Sequence, residues 1–137
     1  MDLRQNGFIR PNTDRDSEPW WAHVAAGRLM LPCCNTCGRR WFPPTPGCPH
    51  CGSREVELAP ADPHGTVYSW VVVNRALNPV FADDAPYTIV AVDLKDGARM
   101  FGRLFMEGGT IVDGLPVIAE IYAVNGNHLV GFRHNQY

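Results

Sequence analysis

Cys34-Asn35-Thr36-Cys37-Gly38 and Cys48-Pro49-His50-Cys51-Gly52 decide how the first half of this chain folds. Each stretch is a C-x-x-C-G knuckle. Two residues between the cysteines let both sulfurs face one point, while backbone amides hydrogen-bond to the thiolates. The glycine that follows accepts the positive φ that closes the turn. Two knuckles separated by the segment 38–47 supply four sulfurs, the donor set of a tetrahedral S4 site. The expectation is one structural metal ion, Zn²⁺, held by Cys34, Cys37, Cys48 and Cys51. A closed S4 site leaves no position for water, so the ion is not expected to be catalytic.

Other readings of the cysteines carry less weight. The same donor set holds iron in electron carriers, but the short separation and the Arg39-Arg40-Trp41 hairpin resemble a ribbon. The fifth cysteine, Cys33, is read as a spare thiol, and His50 as a surface residue whose ring points away from the sulfurs.

Working outward, the 137 residues are 45% apolar and 19% charged, which describes a globular chain with a real core. No apolar run approaches the roughly 20 residues of a membrane span. The polar start, Met1-Asp2-Leu3-Arg4-Gln5-Asn6, lacks a signal-peptide core, so the expected location is the cytoplasm. The net charge of −2 argues against bulk phosphate-backbone binding. Between Pro19 and Arg54 four arginines (Arg28, Arg39, Arg40, Arg54) stand without a carboxylate. They balance the negative charge of a zinc–tetrathiolate, or attract an acidic partner or phosphate.

Three segments follow: 1–30 helical, 31–60 the ribbon, and 61–137 strands. In the first, Asp16 or Ser17 is positioned to cap a helix, Pro19 fits its first turn and Gly27 ends it. Trp20 and Val24 share one face, with Trp21 and Ala25 beside them. The third segment alternates as strands near 66–74, 87–94, 98–106, 117–124 and 128–132, with hairpin signals at Asp96-Gly97 and Asn125-Gly126. Five strands with one long connection, 75–86, predict a small OB-type barrel, a five-strand sandwich being the rival.

Strand 98–106 places Arg99, Phe101, Arg103 and Phe105 on one face. That face suits base stacking and phosphate binding; the alternative is arginine stems covering exposed rings or a buried partner contact. The strand 66–74 is apolar on both faces towards its end, which implies cover from the ribbon, the loop or another chain. The connection around Phe81 and Tyr87 is apolar enough for a binding loop, or for a loop packed on its own barrel. No G-x-S-x-G elbow, P-loop or H-E-x-x-H motif is present, so the chain is not expected to be catalytic alone.

Together, the helix with Trp20-Trp21, Gly27-Arg28-Leu29-Met30-Leu31, both knuckles, Trp41-Phe42-Pro43-Pro44, Gly65-Thr66-Val67-Tyr68-Ser69-Trp70, Pro86-Tyr87 and Val92-Asp93-Leu94 resemble the DUF35 family over nearly the whole chain. Cys33 departs from it, since the family usually has a basic residue there. The resemblance implies a mostly β fold: an N-terminal helix, a rubredoxin-like zinc ribbon and a C-terminal five-stranded OB-fold barrel. It also implies an obligate complex with a thiolase-like enzyme acting on CoA thioesters by retro-aldol, thiolytic or acyl-transfer chemistry, as in steroid or aromatic degradation. The partner would carry the catalytic residues, and acyl-CoA would be met through the complex. Ligand or partner contacts are then expected from Trp20, Trp21, Arg28, Arg39, Arg40, Arg54, Phe81, Tyr87, Arg99 and Arg103. The competing function is a single-stranded nucleic-acid-binding OB-fold protein, which the net acidic barrel half disfavours. Whether the chain stands free or belongs to a longer protein is left open by its residues.

Overall fold

A computed structural model of the chain describes residues 13–135. Within them the amphipathic stretch forms α1, Glu18–Ala25, with Pro19 in its first turn. Ser17 occupies the N-cap position, but its hydroxyl makes no cap bond to the helix. Instead Asp14 and Ser17 pair reciprocally: the Ser17 amide donates to the Asp14 carboxylate at 2.8 Å, and the Asp14 amide to the Ser17 hydroxyl at 3.1 Å. The helix ends as Gly27 predicted. Gly27 has φ 81°, and the amides of Gly27 and Arg28 return to the carbonyls of Val24 and His23, both at 2.9 Å. That is a Schellman closure, which needs a left-handed residue at this position. Trp20 and Val24, one turn apart, are both buried.

The ribbon is framed by β1, Met30–Cys34, and β2, Val56–Pro60, paired antiparallel from Met30↔Pro60 to Cys34↔Val56. Cys34, Trp41 and Cys48 form a small core of their own, with Val56 packed against it. So few apolar side chains cannot hold thirty residues by burial alone, which is why a metal staple is needed.

The remaining strands are β3 (His64–Val73), β4 (Tyr87–Leu94), β5 (Arg99–Phe105), β6 (Pro116–Val124) and β7 (Asn127–His134). They close in the order β3-β4-β5-β7-β6, with β6 returning to β3. The OB-type barrel is therefore present and the sandwich is not. β4 has the predicted limits. β3 begins two residues earlier than its alternation suggests, because His64, Gly65 and Thr66 pair with β6. β7 runs on to His134, because its end pairs with β6 and lies parallel to β5 at Leu104↔Phe132 and Phe105↔Arg133. At Asn125-Gly126 both residues have positive φ (49° and 81°), the twist that a two-residue hairpin requires. The connection 75–86 is not shapeless: Pro79–Asp84 form a 3₁₀ helix started by the Asn78 side chain, which accepts from the Val80 amide at 3.0 Å.

A second, larger core joins helix, β1 and barrel. Trp20 and Val24 of α1 and Leu31 of β1 join Val67, Val90, Val92, Met100, Val117 and Phe132. β5 and β7 cross so closely that a Cβ on Gly102 would lie 2.8 Å from the Val130 carbonyl oxygen and 2.9 Å from the Phe132 ring.

Candidate metal centre and aromatic cleft

The four cysteine sulfurs all lie within 4.8 Å of one another. Cys34 and Cys51 approach to 3.6 Å, and Cys37 and Cys48 to 3.7 Å. A tetrahedron of sulfurs about 2.3 Å from a zinc ion has edges of about 3.8 Å, so these two pairs already stand at the spacing one ion requires. The knuckles supply the expected backbone bonds. The Cys37 amide donates to the Cys34 sulfur and the His50 amide to the Cys48 sulfur, each at 3.4 Å. Gly38 and Gly52 return to the carbonyls of Cys34 and Cys48 at 2.8 and 2.9 Å, with φ of 77° and 79°. Cys34 and Cys48 face inward while Cys37 and Cys51 face solvent.

The cluster sets its own protonation. The Cys37 amide bond brings Cys34 down to about 6, against the opposing effect of desolvation. At Cys51 the Ser53 amide pulls downward, but desolvation and the neighbouring thiols prevail and push it up to about 11. At Cys48 desolvation pushes upward, but the Cys51 and His50 amides prevail and lower the thiol, so the two inward-facing sulfurs are the ones favoured as thiolates. Cys33 lies outside the cluster, half-buried on β1 opposite Glu57. His50 is exposed, 3.1 Å from the Arg39 guanidinium.

The expected contact residues divide into distinct settings. Arg28, Arg39 and Arg54 are exposed, with Arg28 donating to the His23 ring at 3.0 Å. Arg40 is turned inward instead. Its terminal nitrogens donate to the carbonyls of Pro60 (2.9 Å), Leu31 (3.0 Å) and Ala59 (2.6 Å), and to the Asp96 carboxylate at 3.2 Å. That guanidinium is a clamp within the chain. Arg99 is also engaged: it grips Asp93 through two bonds of 2.7 and 3.2 Å and stacks 3.6 Å over the Tyr68 ring.

Trp20, Trp21, Phe81, Tyr87 and Arg103 come together. They line a cleft of about 310 Å³ with Phe42, Ile89, Phe101, Tyr122 and Leu129. The cleft opens where the 3₁₀ connection, strands β4 and β5 and the β6–β7 hairpin converge, a face that OB folds use for ligands. Trp20 forms an inner wall: it is 3% exposed, its indole N–H donates to the Met30 carbonyl at 2.8 Å, and its ring meets Trp21 and Phe42 at 4.8 and 5.0 Å. Arg103 is held by Asp84 at 3.1 Å and lies over the Tyr87 and Phe105 rings. Burial pushes the Tyr122 phenol up.

Sequence reasoning passes over Phe42 and Tyr122, whose place in the cleft depends on chain crossings rather than local pattern. Phe42 follows the Trp41 that builds the ribbon core, and that position is the one available hint. The alternation of β5 did mark Phe101 and Arg103.

Two family models match the chain: "ChsH2, rubredoxin-like zinc ribbon domain" over residues 21–57 and "ChsH2, C-terminal OB-fold domain" over residues 59–120. A protein of Thermomonospora curvata named "Probable enoyl-CoA hydratase alpha subunit" is 33% identical over 112 residues, 81% of this chain and 34% of that protein. The 3-oxo-4,17-pregnadiene-20-carboxyl-CoA hydratase alpha subunit of Mycobacterium tuberculosis is 29% identical over 86% of this chain and 37% of its own length. The chain thus spans about a third of those two hydratase subunits. A DUF35 domain-containing scaffold protein of Pyrococcus furiosus is 32% identical over 72% of each chain. Among solved structures, a chain of the "Ltp2-ChsH2(DUF35) aldolase" superposes with a TM-score of 0.82 at 31% identity, covering 91% of this chain and 98% of that one. Ribbon and barrel models match this chain in that order, and the chain belongs to the DUF35 family.

Proposed function

We propose that this chain is a non-catalytic accessory subunit, or domain, that forms an obligate complex with a thiolase-like enzyme acting on CoA thioesters. The observation that carries this reading is the correspondence with the DUF35 chain of the Ltp2-ChsH2 aldolase over 98% of that chain's length. The hydratase alpha subunits and their CoA-thioester names give the substrate context. Residues 31–60 act as the metal-braced ribbon, 61–137 as the barrel, and 1–30 as the N-terminal helical segment. The chemistry served is retro-aldol or thiolytic cleavage of a side chain, as in steroid or aromatic degradation. The acid, base or nucleophile comes from the partner.

The role left to this chain is stabilising the enzyme and shaping the entrance to its acyl-CoA site. The aromatic cleft suits that role, having apolar walls and a guanidinium already anchored by Asp84. Co-expression with a thiolase-like enzyme from the same source tests the reading. The expected result is a stoichiometric complex whose turnover of a CoA thioester depends on this chain. Separate migration at micromolar concentration, with enzyme activity unaffected by the chain, would end it.

A further inference from the structure

Among the described residues, β3 is paired on both sides only at its beginning. Residues 64–66 lie between β4 and β6. Val67 then exchanges backbone bonds with Leu115 and Gly114 at 2.9 and 2.8 Å. Among the described residues, Ser69 to Val73 pair with β4 alone. In an antiparallel pair alternate residues direct N–H and C=O away from the partner, so the outer side of 69–73 is an open template for another strand.

The side chains there are unusual for an open edge. Tyr68, Trp70, Val71 and Val72 are 54%, 40%, 61% and 52% exposed. Successive strand residues point to opposite faces, so apolar surface is presented on both. Free edges are ordinarily protected by charge, proline or shortness. The run Tyr68-Ser69-Trp70-Val71-Val72-Val73 contains neither charge nor proline. An unguarded edge with two apolar faces is built to be covered.

We infer that the outer edge of β3, residues 69–73, docks an extended, uncharged strand of the partner enzyme; this rests on the accessory-subunit reading above. The open backbone selects a strand, because only an extended segment can use a row of alternating donors and acceptors. Charge selects an uncharged one. Two of the ionic groups nearby are matched within the chain, Arg99 with Asp93, capped by Tyr68, and Arg103 with Asp84, and only the exposed Arg75 lies just past the strand's end. Area argues against a second copy of this chain. The four side chains expose on the order of 400 Å², about half of the roughly 800 Å² per partner that a stable dimer buries. One strand addition within a larger contact between unlike subunits is in proportion.

The test uses the full chain and the co-expressed thiolase-like enzyme. Lysines at two solvent-facing positions, Val71→Lys with Val72→Lys, place edge charges where the barrel has no packing to lose. Leu77→Lys, at a site 96% exposed and off the edge, is the control. The double variant should keep its zinc content and melting temperature yet bind the enzyme at least about tenfold more weakly, the control binding normally. Hydrogen exchange on the wild-type chain should show amides within 69–73 protected only in the complex, and this readout decides if the double variant misfolds. If wild type and double variant bind equally and 69–73 gains no protection, the docking surface is wrong while the accessory reading stands. If the wild-type chain does not bind the enzyme at all, both fall. A wild-type homodimer that the lysines dissociate would overturn the choice of occupant.

Discussion

The Arg40 guanidinium meets the Asp96 carboxylate at 3.2 Å across 56 positions of sequence, and this contact ties ribbon to barrel. Asp96 also accepts from the Asp62 amide at 2.8 Å, so β1, β2, the segment after β2 and the β4–β5 hairpin converge on one ion pair. The side chains are only 15% and 25% exposed, so water does not readily replace a lost partner. Arg40→Met should cost about 2 kcal/mol, read as a lower midpoint in thermal or urea melting. Arg40→Lys should recover little, since a point charge cannot reach the same fork of acceptors. Asp96→Asn, which keeps the shape and loses the charge, should cost about 1 kcal/mol.

The metal should be a folding element. Cys34→Ser or Cys51→Ser is expected to lose the ion and unfold the ribbon, because ligation energy is folding energy in so small a core. Elemental analysis together with melting checks it. Retained zinc and an unshifted midpoint in both variants would refute the structural role.

Gly102 has no room for a side chain. Gly102→Ala drives a methyl into the Val130 carbonyl and the Phe132 ring, and backbone cannot yield as a flexible side chain would. The expected loss is about 2 kcal/mol, measured by urea unfolding.

The nucleic-acid alternative makes the opposite prediction from ours. Arg99 and Arg103, the cations beside the exposed Phe101 ring, are both held by carboxylates, and the net charge is −2. Gel-shift titration with single-stranded oligonucleotides at about 0.15 M salt should show no binding tighter than about 100 μM. A strongly salt-dependent shift would revive the alternative.

Arg28, Arg39 and Arg54 stay exposed, and their role is tested by charge. Arg39→Glu with Arg54→Glu should change stability by less than about 0.5 kcal/mol. Association with the enzyme partner should slow, most visibly at low salt. An unchanged association rate would reduce these residues to solubilising charge.

Local chemistry made the ribbon and most strand positions legible. The knuckles announce their geometry through cysteine spacing and the glycine that follows each pair. β5 announces its faces by strict alternation, and Gly27 announces the end of α1. What stayed hidden depends on distant pairing. No local pattern shows that His64 and Gly65 belong to a strand, because β6 makes them one. Arg40 reads as one of four unpaired cations until Asp96 is brought to it. Ser17 stands at the helix start as expected, yet its hydroxyl accepts from the Asp14 amide instead of capping the helix, a competition that composition alone does not resolve. The cleft was half legible: its tryptophans, Phe81 and Arg103 stood out as residue types, while Phe42 and Tyr122 arrive only through the fold.

The packing of Phe42 on Trp20 at 5.0 Å joins two regions that function would otherwise keep apart. Phe42 directly follows Trp41, which is buried beside Cys34 and Cys48, and Trp20 is a wall of the cleft. The ion therefore works as a remote brace for the cleft. A cell short of zinc would lose the ribbon first and, through Phe42, the shape of the aromatic wall with it.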